Sequence, residues 1–471
     1  MSSMSSQSKS SHISLFIFRR DFRIKDNTGL IKALNESEQV VPIFIFTPEQ
    51  IKTNPYKSDN AVQFMIESLL ELKQNLKHLT FYYGDYLKVI DSLVKKSKIN
   101  HIYTNTDYTP YAIKRDDDIA KYCKKNNIEF HPEHDILLFK PASLLNLSGE
   151  YYQKYTPFYR KALSEVKKII PVHKTSEVSL LKKTKLTKIK EDKYLINKKE
   201  LVKFYKHNSD LNINGGRDNA LKVLASLKGF KKYDDVRNLL NIETTHLSGY
   251  LKFGCLSIRE VYYKIKETLG MRNTLISQLF WREFYFYIAY YYPHVLKGKN
   301  YNSKYDKIKW NKSKTLFNKW KEGKTGYPVV DAGMVQLNTT GYMHNRARLI
   351  TSNFLNRLLG YHWTVGEKYF AQKLTDYDPS VNNGNWQWIA STGVDPKPYF
   401  QRLFNPILQS KKFDPDAKYI KKWLPFLKDI PADDLHNWES KWSEYDIKNY
   451  KPIVKYKEAR QKSISMYRSV L

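Results

Sequence analysis

The feature that most constrains the fold is an alternation confined to the first third of the chain. Short apolar runs, SLFIF (14–18), VVPIFIF (40–46), LTFYYG (79–84), HIYTN (101–105) and IEFHPE (128–133), are separated by helical patterns. AVQFMIESLLELKQNL (61–76) is plainly amphipathic, and helices fit 86–96 and 111–125 as well. Strands alternating with helices at this spacing need crossover connections, so the sheet they form is parallel. The first strand runs into a basic loop, RRDFR, and the turn signal KDNTG. No G-x-G-x-x-G follows it, which disfavours ordinary dinucleotide binding at that turn.

Beyond residue 140 the alternation stops. YTPFYRKAL (155–163) reads as ordered, whereas the Lys-rich, weakly periodic stretch after it reads as a linker crossing the surface. From 213 the pattern is helical nearly to the end, with helices expected at 215–226, 257–268, 273–291, 313–321, 328–338, 343–359, 364–372 and 379–391. A chain of 471 residues is too long for one core. The expected division is a disordered Ser-rich leader (1–12), an α/β domain (13–139), an interdomain linker (140–212) and a helical domain (213–471).

Two cysteines, Cys123 and Cys255, exclude a disulfide framework and a Cys-rich metal centre and suit a reducing compartment, nucleus or cytoplasm rather than secretion. No metal site is expected. No apolar run reaches membrane-spanning length, the richest being FYFYIAYYY (284–292). The formal net charge of +32 points to a polyanionic partner, most simply nucleic acid. An AT-rich coding sequence would also enrich Lys, Asn, Ile and Tyr, so charge alone leaves a solvated Lys-rich surface as the alternative.

Chemistry concentrates in LTDYDPSVNNGNWQWIASTG (374–393). Asp378 before Pro379 suits a helix start, with the acid as N-cap and the proline in the first turn. Asn382 and Trp386 then share a face, while Trp388 lies about 200° round from Trp386. Read alone, this is equally a capped core helix anchored by two indoles. In QLFWREFY (278–285), Gln278, Trp281, Arg282 and Tyr285 fall on one helical face that is both polar and aromatic, which suits a pocket. In MHNRARLITSNFL (343–355), Asn345, Arg348 and Leu349 share a face and Arg346 is turned about 100° away. An interior Arg needs an anion, and Asp376 or Asp378 could supply it. TTHLSGYLKFG (244–254) gathers hydroxyls and amides of the kind that cradle a pyrophosphate, or that simply cap a helix.

Taken together and in order, IFRRDFRIKDN, TTHLSGYLKFG, LFWREFY, KWKEGKTGYPVVDAGMVQLNTTGYMHNRARL, LTDYDPSVNNGNWQWIASTG and PYFQRLFNP resemble the DNA photolyase/cryptochrome family. The likeness is greatest to class I cyclobutane pyrimidine dimer photolyases. It implies a Rossmann-like α/β antenna domain with a parallel sheet, followed by a larger all-α domain that binds FAD. It places Tyr233, Thr244, Thr245, Leu247 and Ser248 around the FAD phosphates. Gln278, Arg282, Asn345 and Arg348 line the cofactor, Asp376 and Asp378 hold its polar groups, and Asn382 faces the flavin N5. Trp386, Trp363 and Trp310 match an electron-carrying tryptophan chain. Trp281 and Trp388 match the indoles that sandwich a flipped-out dimer, with Gln278, Asn345 and Leu349 in the lesion pocket. Arg237, Arg346 and Arg402 are candidate DNA phosphate contacts.

The implied activity is light-driven repair of cyclobutane dimers in DNA by a monomer, through electron transfer from excited reduced FAD. The alternatives are a cryptochrome-type photoreceptor and a (6-4) photolyase. The chain departs from the repair pattern at Gln278, where Glu is usual, at Leu349, where Met is usual, and at His246, where many members carry Arg. Gln at the first position is usual in the (6-4) branch, but that branch needs two His where Asn345 and Leu349 stand. PYAIKRD (110–116) admits a second antenna chromophore, deazaflavin or folate.

Overall fold

Each apolar run of the first domain becomes a strand. In the computed structural model, which describes residues 12–174, 179, 181–182, 185–189, 191–448 and 450–471, Ile13–Phe18 (β1) lies at the centre of a parallel sheet. Gln39–Phe46 (β2), Thr80–Tyr83 (β3), His101–Asn105 (β4) and Glu129–Glu133 (β5) complete the order β3-β2-β1-β4-β5. Alternate residues feed two cores. Phe16, Phe18, Phe44 and Phe46 enter one, and Leu15, Ile17, Ile43 and Ile45 the other. Burial on both faces is why these runs are almost continuously apolar. The order reverses between β1 and β4, so a crevice is expected outside the carboxyl ends of the strands there.

The expected leader lies outside the described residues except for His12. The linker expectation needs correction. Beyond the Tyr155–Ser164 helix, Lys185–Leu186 (β6) pairs with Gln39 and Val40 of β2, Tyr194 accepts a hydrogen bond from the Tyr83 amide, and the Ile196 amide donates to Phe81. The segment satisfies backbone groups at the sheet margin, where unpaired amides are costly. A two-residue strand carries no readable periodicity, and so it passed for a spacer. Residues 175–178, 180, 183–184 and 190 of the same linker lie outside the described set.

The helical region follows the expected pattern, with helices at Arg217–Ala225, Ile258–Leu269, Thr274–Tyr291, Lys314–Lys321, Pro328–Thr340, Trp363–Lys373 and Pro379–Ala390. Asn345–Asn353 continues as a π-helix over Phe354–Leu358. Leu247–Phe253, Pro406–Phe413 and Tyr456–Arg468 are helices that were not expected. No described helix is long and apolar enough to cross a membrane.

Packing and buried charge join the two regions. Phe64 of the first domain stacks on Phe253 at 5.2 Å, and Phe22 packs on the same ring. Arg259, on the first helical turn after Ser257, reaches Asp26 (2.9 Å) and Asp135 (2.8 Å), and Arg23 also pairs with Asp135 (2.6 Å). All four side chains are almost fully buried. Such a network holds only when every member is partnered.

Candidate functional site

The Pro379–Ala390 helix starts as its sequence demands. Asp378 Oδ1 accepts from the Ser380 and Val381 amides, and Pro379 occupies the first turn. The other Asp378 oxygen pairs with Arg20 of the first domain, which also holds Asp107. Burial opposes the charge on Asp378, but Arg20, Lys252 and Arg282 hold its carboxyl down at about 2. Both oxygens are therefore committed to the helix cap and the domain junction.

Asp376 is the acid that meets the interior arginine. Arg348 Nη2 lies 3.0 Å from Asp376 Oδ2, and Ser248 Oγ donates to the same oxygen at 2.7 Å. Arg348 stacks over Tyr342 at 5.4 Å, and the Tyr342 hydroxyl is 3.0 Å from Thr244 Oγ1. His246 packs edge-on against Tyr342 and sits in the left-handed backbone region, at φ 52°, where TTHLS turns into Leu247–Phe253. Thr244, Thr245, Leu247, Ser248, Arg348 and Asp376 thus come from three separate segments into one cluster. Tyr342 and His344 belong to it and were missed. His344 is buried, burial depresses its imidazole to about 4, and its Nε2 has no protein partner among the described residues. Neither residue showed a periodic signal. Tyr233 is half-buried, and Asn345 is exposed at the head of its helix.

Asn382 and Trp386 share a face as the spacing requires. Asn382 Nδ2 donates to the Glu367 backbone and carboxylate at 3.1 Å each. Burial pushes the Glu367 carboxyl up to about 7, against hydrogen bonds from Asn382 and Tyr377. Trp386 is buried edge-on to Phe370 (4.9 Å) and closes over Gly366, where a Cβ would collide with the indole. Trp363 is buried, with Nε1 donating to Asn300 at 2.8 Å. His362 stands 5.3 Å from both Trp363 and half-buried Trp310. Two of the three indoles, buried Trp363 and half-buried Trp310, thus stand on either side of an imidazole.

Trp388 points the other way, as expected. Arg402 lies 3.8 Å above its ring, and the indole N–H donates to Asp395 at 3.3 Å. Arg402 is itself buried and donates to the Trp388 carbonyl at 3.0 Å, which corrects its expected place among surface phosphate contacts. Trp281 stacks on Tyr155 at 3.6 Å with planes 8° apart, so the YTPFYRKAL helix backs this indole. Gln278 is half-buried next to Trp281 on the same helix, its Nε2 3.3 Å from Ser277 Oγ. Arg282 reaches the domain junction: its guanidinium donates to the Ile136 carbonyl at 2.8 Å, covers Phe286 and acts on the Asp378 carboxylate. A long flexible side chain ends where it finds acceptors, which spacing along a helix does not specify. Leu349 is half-buried one position beyond Arg348. Arg346 donates to Asn238 at 2.6 Å and covers Phe413, and its Nε has no protein partner among the described residues. Burial and the nearby Arg237 depress the Arg346 guanidinium to about 10. Two half-buried cations side by side favour an anion between them.

The crevice anticipated at the strand-order reversal is present as a cavity of about 710 Å³. Ile17, Phe18, Phe44 and Ile45 wall it at the carboxyl ends of β1 and β2, Thr109 and Arg115 beyond β4. Trp363, Glu367 and Asn383 close it from the helical region. Its size lies within the range of about 300–1,000 Å³ usual for cofactor sites.

Two family profiles match the chain: DNA photolyase over residues 14–177, and the FAD binding domain of DNA photolyase over 275–469. Among individual proteins, the chain is 34% identical to the deoxyribodipyrimidine photo-lyase of Buchnera aphidicola (subsp. Baizongia pistaciae), over 97% of this chain and 98% of that protein. Among solved structures it is similar to the archaeal photolyase of Sulfolobus tokodaii, described with two FAD molecules, at 39% identity and TM-score 0.85 over 97% of this chain and all of that one. It is also similar to a Synechocystis cryptochrome, at 25% identity and TM-score 0.86 over 98% of this chain and all of that one.

Proposed function

The chain belongs to the DNA photolyase family, and from that premise we propose that it is a deoxyribodipyrimidine photo-lyase, a light-driven enzyme that splits cyclobutane pyrimidine dimers in DNA. The observation that carries the reading is its full-length likeness to proteins of that name.

The donor set fits FAD. Arg348 and Ser248 converge on Asp376, the hydroxyls of Thr244 and Tyr342 adjoin them, and buried His344 Nε2 and Thr375 Oγ1 await partners that a nucleotide cofactor can provide. Thr244, Thr245, Leu247 and Ser248 would take its phosphates, while Asp376, fixed by Arg348, would take a hydrogen-bond donor of the cofactor. Asn382, oriented by Glu367, is assigned to the ring system. When bound and reduced, FAD supplies the photoexcited one-electron donation that opens the cyclobutane ring.

A dimer stacked in a duplex is out of reach, so the lesion must be flipped out at a cost of a few kcal/mol, least for a damaged base. Trp281, backed by Tyr155, and Trp388, backed by Arg402, would supply its aromatic walls. Gln278 would donate N–H to a pyrimidine carbonyl but has no proton to transfer. Arg237 and Arg346 would hold flanking phosphates. Trp310, Trp363 and Trp386 form the relay by which electrons enter from solvent. The buried free thiols of Cys123 and Cys255 suit a reducing compartment.

The cavity of about 710 Å³ is assigned to a light-harvesting chromophore. The choice between deazaflavin and folate widens to a second FAD, since the Sulfolobus tokodaii photolyase is described with two.

The test is illumination of the reduced protein with an oligonucleotide carrying one defined cyclobutane dimer, followed by analysis of the product. Restored monomers are expected. Repair of a (6-4) photoproduct instead would move the chain to that branch. Repair of neither would favour a photoreceptor, the reading that the likeness to the Synechocystis cryptochrome supports.

A further inference from the structure

At the opposite end of the sheet from the cavity, the amino ends of β4 and β5 carry a cluster that light-driven repair does not use. The register pairs His101 with Glu129 and Tyr103 with His131. Because side chains on a strand alternate, His101, Tyr103, Glu129 and His131 all project from one face. Tyr103 stacks on His131 at 4.3 Å, and His12 stacks on His101 at 3.8 Å, so both imidazoles are held by ring packing.

Three donor atoms converge. His101 Nδ1 lies 3.1 Å from His131 Nε2 and 3.6 Å from Glu129 Oε2, and His131 Nε2 lies 3.4 Å from the same oxygen. The two distances to the carboxylate are long for hydrogen bonds. The triangle instead has the edges of a tetrahedron: with metal–ligand bonds of about 2.0–2.1 Å, adjacent ligand atoms stand about 3.3–3.4 Å apart. Two imidazoles and one carboxylate are a donor set suited to zinc and its neighbours. Lys32, a cation bearing on His131, is itself neutralised by Glu133 at 2.6 Å.

We propose that His101, Glu129 and His131 form a binding site for a borderline divalent cation of the zinc class, with water as the fourth ligand. The bound ion would tie β4 to β5 at the sheet's outer edge, where β5 has one strand neighbour among the described residues. From the sequence alone no metal is expected here. The two His are 30 residues apart, and only the register brings them together.

The test is calorimetric titration of the full-length, untagged protein with Zn²⁺, alongside the visible absorption of its Co²⁺-loaded form. One equivalent should bind, with the intense Co²⁺ bands of a tetrahedral site. His101→Ala/His131→Ala should lose at least about tenfold in affinity together with those bands. Glu129 is 68% exposed, so Glu129→Gln leaves the fold unchallenged and should also weaken binding. Absence of stoichiometric binding, or equal affinity in wild type and Glu129→Gln, overturns the proposal.

Discussion

Glu367 is the side chain in the proposed flavin site most sensitive to pH. Its folded-state carboxyl titrates near 7 against an ordinary value of 4.5. The raised value means that its contribution to stability is complete below pH 4.5 and is lost as pH rises through 7. Glu367→Gln should therefore flatten the fall in melting temperature between pH 5 and 8, recovering at most ~3 kcal/mol at the upper end. An unchanged pH profile would show that the group is ionised throughout. Trp386→Phe keeps the packing against Phe370 but replaces an oxidisable indole. Photoreduction of oxidised flavin should fall sharply by absorption spectroscopy, while repair by chemically reduced enzyme persists. At this scale the sequence was legible wherever direction along a helix was enough. Asn382 and Trp386 lie together, Trp388 lies opposite, and Arg348 meets an acid as expected. It failed where the far end of a long side chain mattered. Arg282 and Arg402 found backbone carbonyls that no local pattern reveals.

Among the elements, the Pro379–Ala390 helix has a start that does two jobs. Asp378 caps its amides and pairs with Arg20 across the junction. Asp378→Ala removes both and should lower unfolding stability by about 3 kcal/mol or more in denaturant titration, since a cap is worth about 0.5–2 and breaking a buried pair about 3–5. Asp378→Asn retains a good cap and loses only the charge, so the gap between the two variants isolates the cap. Because the folded carboxyl is depressed to about 2 from 3.8, the ionic contribution is present above pH 4 and lost as pH falls toward 2. Strands and long helices were legible because periods of two and 3.6 are local. The two-residue β6 and the π-helical turn at Phe354–Leu358 were not, because pairing with a distant edge and a single inserted residue leave no period.

Across the whole molecule, buried charge holds the domains together and surplus positive charge faces outward. Arg259→Ala strands Asp26 and part of the demand of Asp135 in a dry junction. It should cost about 3–5 kcal/mol, seen as an earlier and less cooperative denaturant transition. With a net charge of +32, affinity for dimer-containing DNA should fall steeply with salt. Arg346→Ala should reduce the slope of log affinity against log salt by about one. An affinity indifferent to salt would point to a protein partner. The two-domain plan was legible from the change of pattern near residue 140, but the junction was not. Its pairs are separated by up to 358 residues, and charge complementarity at that range has no signature in one chain.

The chamber at the strand-order reversal draws its walls from both halves of the chain. On the helical side those walls are Trp363, Glu367 and Asn383, positions already answerable to the indole series, to Asn382 and to the packing of Pro379–Ala390. A replacement there changes two properties at once. On the α/β side, Tyr56 stacks on Tyr377 of the helical region, whereas Lys57, Tyr111 and Arg115 pair within their own domain. Pleiotropy therefore divides the chamber into a constrained wall and a free one. A lineage exchanging one pigment for another would rewrite the free wall while leaving the helical wall unaltered.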